Sequence, residues 1–441
     1  MGEESKSQSA FHICIIGGGV VGLTGSILFR RQGFKVTVLE RDAALHTIGA
    51  GIQLHPNAVR VLQDINVYEK IKSKSVIPPS MVLRAYKTGQ VLHTQDFLEP
   101  AVKYGAPLLT LHRGHLCELL CEEAIANGVE IRYGITIDVP DIDLANGELK
   151  LSNPPEVFKA DLFVGADGAQ SVVREVLTGT KEKAIPHGKV VNRVLIEEKD
   201  IMERPRLRHL IEKSSINVWL GPECQAVTYV LHGTFNIALT WPYSVDPEDM
   251  FFGAQHVDLE DLKTQLSAWG PEVRELFSLA KSCLRWMLFE PIQVDEGTPW
   301  VDTAGRFCIV GDAAHRGLPY LGQGAAAGLE SVAVLAYLLG KPTNREQVSD
   351  CLNIYQSLRK ERMGHLNRAT LKNGRIWQLP DGPLKDERDR EFLNDIPSAG
   401  YPNLIADPFF QDWLWGFDAS KVADDAWLAY QRGRKEKECG S

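Results

Sequence analysis

A glycine-rich turn near the start of the chain, Gly17-Gly18-Gly19-Val20-Val21-Gly22, constrains the fold more than any other segment. It follows the β-branched run 12–16, which is typical of a buried parallel strand, and precedes residues 20–32, whose helical pattern ends at Gly33. A second buried strand is predicted at 35–39. This order predicts a βαβ unit, whose helix N-terminus offers free N–H groups to a pyrophosphate.

Each glycine of this turn has its own expected role. Gly17 permits the tight strand-to-helix turn, Gly19 lets a pyrophosphate approach because it has no Cβ, and Gly22 lets the helix pack against the strand. Glu40 ends the second strand, where its carboxylate can accept hydrogen bonds from ribose hydroxyls. The predicted nucleotide site also includes two neighbours of these residues, Val21 and Arg41. FAD and NAD share this pattern, so the turn predicts a dinucleotide without choosing between them.

The composition is that of an ordinary globular protein, with 44% apolar and 24% charged residues. At roughly 100–200 residues per domain, 441 residues suggest two or three domains. The net charge of −9 argues against a nucleic-acid partner, whose phosphates need a basic surface. No signal peptide or membrane-spanning helix is expected, and the eight scattered cysteines suggest reduced thiols in the cytoplasm with no metal-binding cluster.

The pattern along the chain indicates that the cofactor region is interrupted by a different kind of sheet. A helix at 113–127 and strands at 129–133, 162–164 and 307–310 continue the α/β pattern. Between the last two, alternating stretches predict antiparallel strands, broken by a helical region at 258–279. The predicted strands of this second sheet are 217–220, 226–231 and 236–241.

We therefore predict an α/β protein in three parts. They are a Rossmann-like cofactor domain (1–188 and 300–345), an inserted antiparallel-sheet substrate domain (189–299) and a helical C-terminal region (346–441). A packed helix of small residues is expected at 322–339 and a charged helix at 347–371, whereas the tail after Pro380 shows no clear period.

Two later segments follow apolar strands and narrow the choice of cofactor. One is Gly165-Ala166-Asp167-Gly168, and the other is Gly311-Asp312, which leads to Pro319 and to Gly322-Gln323-Gly324. Together with the first turn, these segments resemble the class A flavoprotein monooxygenases of the aromatic hydroxylase type. The salicylate hydroxylase-like branch and its fungal relatives in polyketide or indole alkaloid metabolism are most similar. The resemblance extends over about residues 11–382 and includes Arg113 within His-Arg-Gly-His-Leu.

The resemblance implies FAD as the cofactor and NAD(P)H as the cosubstrate, without choosing between NADPH and NADH. It places Asp312 under the ribityl chain and pyrophosphate, and Asp167 in a segment shared by FAD and NAD(P)H. Gly51 lies in the loop 49–52, which related enzymes use to move the flavin ring. Glycines near the ring leave backbone N–H groups free to face N1 and O2. The residues implied to approach the isoalloxazine are Arg113, Pro319, Gly322, Gly324 and Ala325.

The same resemblance implies the reaction. NAD(P)H reduces FAD, O2 adds at C4a, and the hydroperoxide transfers its distal oxygen to an electron-rich ring, by hydroxylation or by 2,3-epoxidation of an indole. Arg193 resembles an arginine that fungal members place near flavin and substrate, although a surface ion pair would also explain it. Tyr229 is the second candidate catalytic residue, as a donor to substrate or as a buried tyrosine bonded to backbone. Val230 stands where the family usually has Pro.

Different classes of function fit these residues less well. A flavin halogenase shares the fold, but its Trp-x-Trp-x-Ile-Pro segment is matched only by Trp413-Leu414-Trp415, which lies too late and lacks Ile-Pro. A flavin oxidase or dehydrogenase would use another electron acceptor, and a nucleotide-binding structural protein would carry no flavin. The expected partners are an aromatic small molecule and O2, with no nucleic acid and no integral membrane segment, and the expected assembly is a monomer or homodimer.

The substrate is expected to be a bulky, neutral natural product, either an indole alkaloid or a polyketide. The predicted strands carry few basic residues, a substrate carboxylate usually needs a paired arginine, and Arg193 is the only obvious candidate. A salicylate-type phenol of aromatic catabolism is the second candidate substrate.

Overall fold

The computed structural model describes residues 11–45, 49–244, 246, 249–295, 297–342, 346–394 and 396–439. Residues 1–10, where the sequence predicts no signal peptide, lie outside these ranges. The strands are β1 (His12–Ile16), β2 (Lys35–Leu39), β3 (Gly51–Leu54), β4 (Ser80–Ala85), β5 (Val91–Asp96), β6 (Leu109–His112), β7 (Glu130–Arg132), β8 (Ile142–Asp143), β9 (Glu148–Ser152), β10 (Pro155–Lys159), β11 (Leu162–Gly165), β12 (Pro186–Glu197), β13 (Ile216–Gly221), β14 (Cys224–Leu231), β15 (Thr234–Pro242), β16 (Ala254–His256), β17 (Leu284–Phe289) and β18 (Phe307–Ile309).

The helices, in the same order along the chain, are α1 (Val20–Arg31), α2 (Pro56–Asp64), α3 (Tyr68–Lys72), α4 (Leu98–Lys103), α5 (Arg113–Ala126), α6 (Val172–Thr178), α7 (Glu198–Met202), α8 (Arg208–Glu212), α9 (Leu259–Gln265), α10 (Pro271–Ser278), α11 (Asp312–His315), α12 (Gly324–Leu339), α13 (Gln347–Trp377), α14 (Pro383–Asn394), α15 (Pro408–Trp415) and α16 (Ala419–Cys439). A short 3-10 helix spans Val139–Asp141.

Among the described residues, a parallel sheet of five strands has the order β18-β11-β1-β2-β7. β1, β2, β11 and β18 are almost wholly buried, as their apolar, β-branched sequences predict. α1 connects β1 to β2, and these two strands pair in parallel. The predicted βαβ unit is confirmed, and it places the glycine turn at the carboxyl end of the sheet.

Helices α1 and α12 pack closely because glycines lie at their contact. A Cβ on Gly25 would come within 2.4 Å of Val332 Cγ2, and one on Gly328 within 2.5 Å of Val21 Cγ2. The two helices therefore approach each other above the sheet only because these positions lack side chains. This packing fixes the N-terminal end of α12 close to the first turn.

The described part of the chain also forms an eight-stranded sheet, in the order β16-β17-β12-β15-β14-β13-β4-β5. The strands predicted at 217–220, 226–231 and 236–241 correspond to β13, β14 and β15. β4 and β5 join this sheet from an earlier part of the chain, and β4 pairs in parallel with β13. One face packs against α7 to α10 in a separate apolar core, so the other face is turned toward the parallel-sheet core.

Some helices differ from the sequence predictions. The region 258–279 contains two helices, α9 and α10, because Gly270 and Pro271 start a new helix. α13 runs to Trp377, beyond the predicted end at 371. The tail after Pro380 contains α14, α15 and α16, and short elements such as α15 carry too few turns for a clear period.

Within the described ranges, no helix is long and apolar enough to cross a membrane. The seven cysteines with described side chains are buried and unbridged. The same residues contain no cluster of His, Cys, Asp and Glu that could hold a metal ion.

Candidate active site

Three glycine segments lie together at the carboxyl ends of neighbouring parallel strands. They follow β1, β11 and β18, which are adjacent in the sheet. Gly17 has a φ of +109°, and a Cβ there would come within 2.5 Å of the carbonyl oxygen of Ala166. Val21 Cγ2 lies 3.1 Å from the Cβ position of Gly311, which begins the third segment. Distant parts of the sequence thus form one cleft, at the sheet edge where α/β proteins bind ligands.

The first turn needs glycine for two separate reasons. A Cβ on Gly22 would lie 2.0 Å from the carbonyl oxygen of Gly17, so the helix can approach the strand only with glycine there. A Cβ on Gly19 would meet no protein atom within 4 Å, so this position opens into the cleft. The N-terminus of α1 therefore presents backbone N–H groups to an accessible space, as an anion site requires.

Glu40 is held beside this turn by backbone hydrogen bonds. Its Oε2 accepts from the N–H of Gly18 at 2.6 Å, and its Oε1 accepts from the N–H of Asp42 at 2.9 Å. Arg41 is exposed, with its Nε 3.9 Å from Asp42. The carboxylate is therefore fixed at the cleft, whereas the Arg41 side chain lies at the surface next to it.

Asp167 caps a helix within its own segment. Its carboxylate accepts hydrogen bonds from the hydroxyl of Ser171 at 2.6 Å and from the N–H groups of Val172 and Val173 at 2.8 and 3.2 Å. Burial raises the pKa of Asp167, and these hydrogen bonds oppose that rise. A cofactor contact in this segment would accordingly come from its backbone, because the carboxylate is engaged by α6.

Asp312 lies deep in the cleft and still has an accessible side chain. Burial raises the pKa of its carboxyl, while the positive charges of Arg113, Arg316 and Arg174 act in the opposite direction. Arg113 begins α5, and its Cβ lies 3.1 Å from the Cβ position of Gly49 in the adjacent loop. Asp312 can therefore accept hydrogen bonds from hydroxyl groups, and the three arginines offset only part of the cost of burying its charge.

The turn before α12 presents a second helix N-terminus to the cleft. Gly322 has a φ of +64°, and its Cβ position lies 3.2 Å from side-chain atoms of Gln53 and His55. Gly324 is exposed, and a Cβ there would meet nothing within 4 Å. The first N–H groups of this 16-residue helix lack intrahelical acceptors, and its dipole favours negative charge at this end. Pro319 is exposed on the approach to the turn, and Ala325 is half-buried just after it.

The groups lining the cleft fit FAD. Gly19 leaves room for a pyrophosphate at the end of α1, and the fixed carboxylate of Glu40 suits a ribose. The open position at Gly324 lets the edge of a flat ring approach the N-terminus of α12. A reduced flavin gathers negative charge at its N1 and O2 edge, which matches the dipole at that helix end.

Both candidate catalytic residues lie on the sheet face that is turned toward the cleft, and they meet at Gly51. Arg193 of β12 donates a hydrogen bond through Nη1 to the carbonyl oxygen of Gly51 at 2.9 Å. A Cβ on Gly51 would lie 2.5 Å from the ring of Tyr229, which belongs to β14. The N–H of Gly51 donates to Oδ1 of Asn236, on β15, at 3.0 Å. Three neighbouring strands therefore hold Gly51. The prediction of a loop at 49–52 is wrong for Gly51 and Ile52, which begin β3 because they pair with β6, and only residues 49 and 50 precede the strand.

The chemistry of these two side chains follows from their surroundings. The Arg193 guanidinium lies over the ring of Trp286, 5.8 Å from its centroid. Burial raises the pKa of Tyr229 to about 12, although the charge of Arg193 opposes the rise. At neutral pH this site therefore combines a cation with a protonated phenol.

A small pocket adjoins the Asp167 segment. It has a volume of about 220 Å³, and Phe252 stacks on Phe289 at its edge with a centroid separation of 4.9 Å. The guanidinium of Arg316 lies 5.7 Å from the centroid of the Phe289 ring. An aromatic wall next to a cation suits a planar, electron-rich or anionic ligand.

Sequence reasoning missed a buried ion cluster behind the turn before α12. Glu330 pairs with Arg359 at 2.9 Å and with Arg362 at 2.7 Å. Burial by itself would raise the pKa of Glu330, but the two arginines outweigh it and lower the pKa to about 2. The available signal was a glutamate inside the apolar helix predicted at 322–339, since such a charge must be paired when buried.

His315, which follows the Asp312 motif, has a packing role. Its Nε2 lies 2.8 Å from the hydroxyl of Ser331, and the residue is 4% exposed. Burial lowers its pKa to about 3, so the imidazole is neutral at physiological pH. It is therefore placed to support α11 and α12 from inside the protein.

Residues 10–248 and 299–370, more than half of the chain, match the family described as FAD binding domain. A fungal relative, FAD-dependent monooxygenase OpS4 of Beauveria bassiana (strain ARSEF 2860), is 31% identical over 427 residues, which are 95% of this chain and 98% of the relative. A bacterial relative, 3-amino-4-hydroxybenzoate 2-monooxygenase PtmB3 of Streptomyces platensis, is 30% identical over 421 residues, 94% of this chain and 98% of the relative.

The fold is also found among solved structures. A salicylate hydroxylase in a substrate complex is similar with a TM-score of 0.76 and 21% sequence identity, covering 95% of this chain and 98% of that chain. The likeness confirms the predicted α/β fold with its additional sheet.

Proposed function

This chain belongs to the FAD binding domain family and is an FAD-dependent monooxygenase, and we propose that it uses NAD(P)H and O2 to oxygenate an electron-rich aromatic ring. The product would be a hydroxylated ring or an indole 2,3-epoxide. The substrate class that we propose is a bulky, neutral natural product of secondary metabolism. The observation that carries the proposal is the junction of Arg193 and Tyr229 at Gly51.

This junction supports the proposal because it joins the sheet to the loop beside the cleft. A ring bound on this sheet face would lie between β12, β14 and the cofactor. Arg193 would stabilise negative charge that develops on an oxygen of the substrate. Tyr229 keeps its proton at neutral pH, since its pKa is raised to about 12, and would donate a hydrogen bond to the substrate.

We assign the cofactor to the cleft as follows. FAD, once reduced, supplies the activation of O2. The first turn would hold the pyrophosphate with the backbone of Gly17, Gly19, Val21 and Gly22, while Glu40 and Arg41 would lie beside the ribose. Asp312 and the Asp167 segment would bind the ribityl side. The residues assigned to the ring are Gly51, Arg113, Pro319, Gly322, Gly324 and Ala325.

We propose that the nicotinamide cosubstrate binds in the aromatic pocket beside the Asp167 segment. It lies next to Ala169 and Gln170, and its cation, Arg316, also interacts electrostatically with Asp312. A planar nicotinamide ring would stack against the Phe252 and Phe289 wall. Binding in this surface pocket agrees with a cosubstrate that reduces the flavin and then leaves.

The state of Arg193 supports a neutral substrate. Its guanidinium is already bonded to Gly51 and stacked on Trp286, so it has less capacity to pair with a carboxylate. Val191, Val227, Ala238 and Trp286 share this sheet face and contribute apolar surface beside Arg193. The bacterial relative is named for a hydroxybenzoate, which makes a salicylate-type phenol the second candidate.

The proposal is tested with the purified holoprotein, NADPH or NADH, and labelled O2. We expect substrate-dependent NAD(P)H consumption and one labelled oxygen in the product. A side-by-side panel of indole alkaloids, polyketide phenols, salicylate and 3-amino-4-hydroxybenzoate identifies the substrate class. Product without label would contradict oxygen transfer, and faster turnover of the carboxylated phenols would contradict the neutral substrate.

A further inference from the structure

A chain of buried polar side chains connects the C-terminal helices to the turn before α12. Trp415 Nε1 of α15 donates to His55 Nδ1 at 3.2 Å, and Gln323 Nε2 is hydrogen-bonded to the same nitrogen. Asn57 Nδ2 donates to Gln323 Oε1 at 3.0 Å and to Glu330 Oε1 at 2.6 Å. All five side chains are buried, none more than 3% exposed. We call these five residues the Trp415–Glu330 chain.

The acidic end of this chain fixes the orientation of both amides. Glu330 is held ionised by Arg359 and Arg362, so its oxygens only accept hydrogen bonds. Asn57 must therefore present its NH2 group to Glu330, and that same group donates to Gln323 Oε1. As a result, the NH2 group of Gln323 faces His55 as a donor.

At the other end of the Trp415–Glu330 chain, Trp415 independently requires the Nδ1 of His55 to be a hydrogen-bond acceptor. An indole N–H can only donate, so the Nδ1 of His55 must accept from Trp415. The NH2 group of Gln323 then shares the single lone pair of Nδ1 with Trp415, and the ring proton is placed on Nε2, which has no hydrogen-bond partner among the described residues. Burial lowers the pKa of His55 to about 3, so the ring stays neutral near pH 7. Both ends of the chain thus specify a single hydrogen-bond arrangement.

Gln323 is where this arrangement meets the cofactor cleft. It is the N-cap residue of α12, between Gly322 and Gly324, and its carbonyl accepts from the N–H of Ala327 at 2.8 Å. Hydrogen bonds to both the oxygen and the nitrogen of the Gln323 side-chain amide hold this residue in place. They therefore also fix the backbone of the turn, whose free N–H groups face the cleft. We propose that Trp415 is a positioning residue for the flavin, acting through His55 and Gln323 on the turn before α12. The C-terminal tail would in this way tune the binding and the reduction potential of FAD, whichever substrate is oxidised.

The test is Trp415→Phe, which keeps an aromatic ring against Phe97 and Tyr104 and removes the N–H donor. Trp427→Phe in α16 is the matched control, because Trp427 is also buried and stacks on Tyr430. We expect Trp415→Phe to weaken FAD binding roughly three- to tenfold, as for the loss of one buried hydrogen bond. The flavin reduction potential should become more negative, since a displaced helix end stabilises the reduced ring less. Titration of apoprotein with FAD, potentiometry and urea unfolding of both variants provide the readouts.

A Trp415→Phe protein with wild-type FAD affinity and potential would overturn the proposal, as would equal shifts in the Trp427→Phe control. A second variant, Gln323→Met, removes the amide through which Trp415 acts. We expect it to shift the potential in the same direction, and the double variant to add nothing beyond Gln323→Met. If Trp415→Phe does not fold, an unchanged potential in Gln323→Met overturns the proposal, and a more negative one supports it.

Discussion

Nη1 of Arg193 donates a hydrogen bond to the carbonyl oxygen of Gly51 across 2.9 Å, which joins strand β12 of the eight-stranded sheet to β3. Gly51 also begins β3, which pairs with β6 and so leads to Arg113 at the start of α5. Sheet, loop and the first residue of α5 are therefore connected through a few bonds. A change at Arg193 should therefore be felt at β3 and at the start of α5 as well as on its own sheet face.

Replacing Arg193 with Met tests this connection. We expect Arg193→Met to lower kcat/KM by about 100-fold, the size expected for loss of one donor to a developing charge. A larger share of NAD(P)H should be oxidised without product, because the substrate and the loop are less well held. FAD content should fall little, since the contacts assigned to the pyrophosphate and ribose, at the first turn and Glu40, are left intact. The measurements are product formed per NAD(P)H consumed and the flavin absorbance of the purified protein.

Arg285→Met is the control for this substitution. Arg285 lies on the adjacent strand β17, where its Nε donates to Asn192 Oδ1 at 2.8 Å on the opposite face of the sheet. Its loss should change the coupling between NAD(P)H use and product much less. Equal uncoupling in the two variants would show that Arg193 acts only through the stability of the sheet.

Gly51→Ala should disturb the same junction by steric overlap. The added Cβ would lie 2.5 Å from a ring carbon of Tyr229 and 2.9 Å from Asn236 Cγ, so the loop or the tyrosine must move. We expect a loss of about 1–3 kcal/mol in the free energy of unfolding, together with lower activity. Tyr229→Leu in the same protein should recover part of the stability. Gly364→Ala in α13, whose Cβ would have only an ordinary contact of 3.5 Å with Arg368, should instead be neutral or stabilising.

Gly19→Ala and Gly22→Ala should separate cofactor binding from folding. Gly19 has a φ of −76° and open space around its Cβ position, so alanine should cost the apoprotein less than about 1 kcal/mol while blocking FAD. Gly22→Ala should destabilise the apoprotein strongly, because its Cβ overlaps the carbonyl oxygen of Gly17 at 2.0 Å. Urea unfolding of the apoproteins and FAD titration distinguish the two effects. Normal FAD binding by Gly19→Ala would refute the assigned pyrophosphate position.

The features that could be predicted from sequence are those with a local pattern. The βαβ unit, the buried strand 307–310 and the strands around Tyr229 follow from the spacing of apolar residues over a few positions. Their glycine segments fall at one edge of the sheet because parallel strands end together. Local motifs that each follow a parallel strand are therefore expected to lie in one cleft, even though they are far apart in the sequence.

The features that escaped prediction depend on contacts between distant residues. Gly51 and Asn236 are 185 positions apart, and His55 and Trp415 are 360 apart, so no periodicity links either pair. The role of the tail after Pro380 could not be predicted for the same reason. Trp415 is buried because it contacts His55, and that contact leaves no local pattern in the sequence. Strands β4 and β5 were likewise missed as members of the larger sheet, which recruits them from outside the continuous substrate region.

Glu330→Gln should reveal the buried ion cluster through its dependence on pH. The pKa of Glu330 is about 2 in the folded protein, against a usual value of 4.5. The ionised carboxylate therefore stabilises the folded state at pH values above the pKa of the unfolded state. That contribution, about 3 kcal/mol, is fully present above about pH 5 and is lost as the pH falls from 4.5 toward 2. The variant lacks it and also leaves Arg359 and Arg362 buried without a counter-charge.

We therefore expect Glu330→Gln to lose about 3–5 kcal/mol of unfolding free energy near neutral pH. The difference from wild type should shrink as the pH is lowered toward 3, because the wild-type carboxylate is then being protonated during unfolding. Urea unfolding at a series of pH values measures both effects. Glu260→Gln is the control, since the Glu260 side chain is 79% exposed in its pair with Lys263 at 2.8 Å, and its loss should change stability little at any pH. A pH-independent difference for Glu330→Gln would mean that folding does not lower the pKa of this carboxyl.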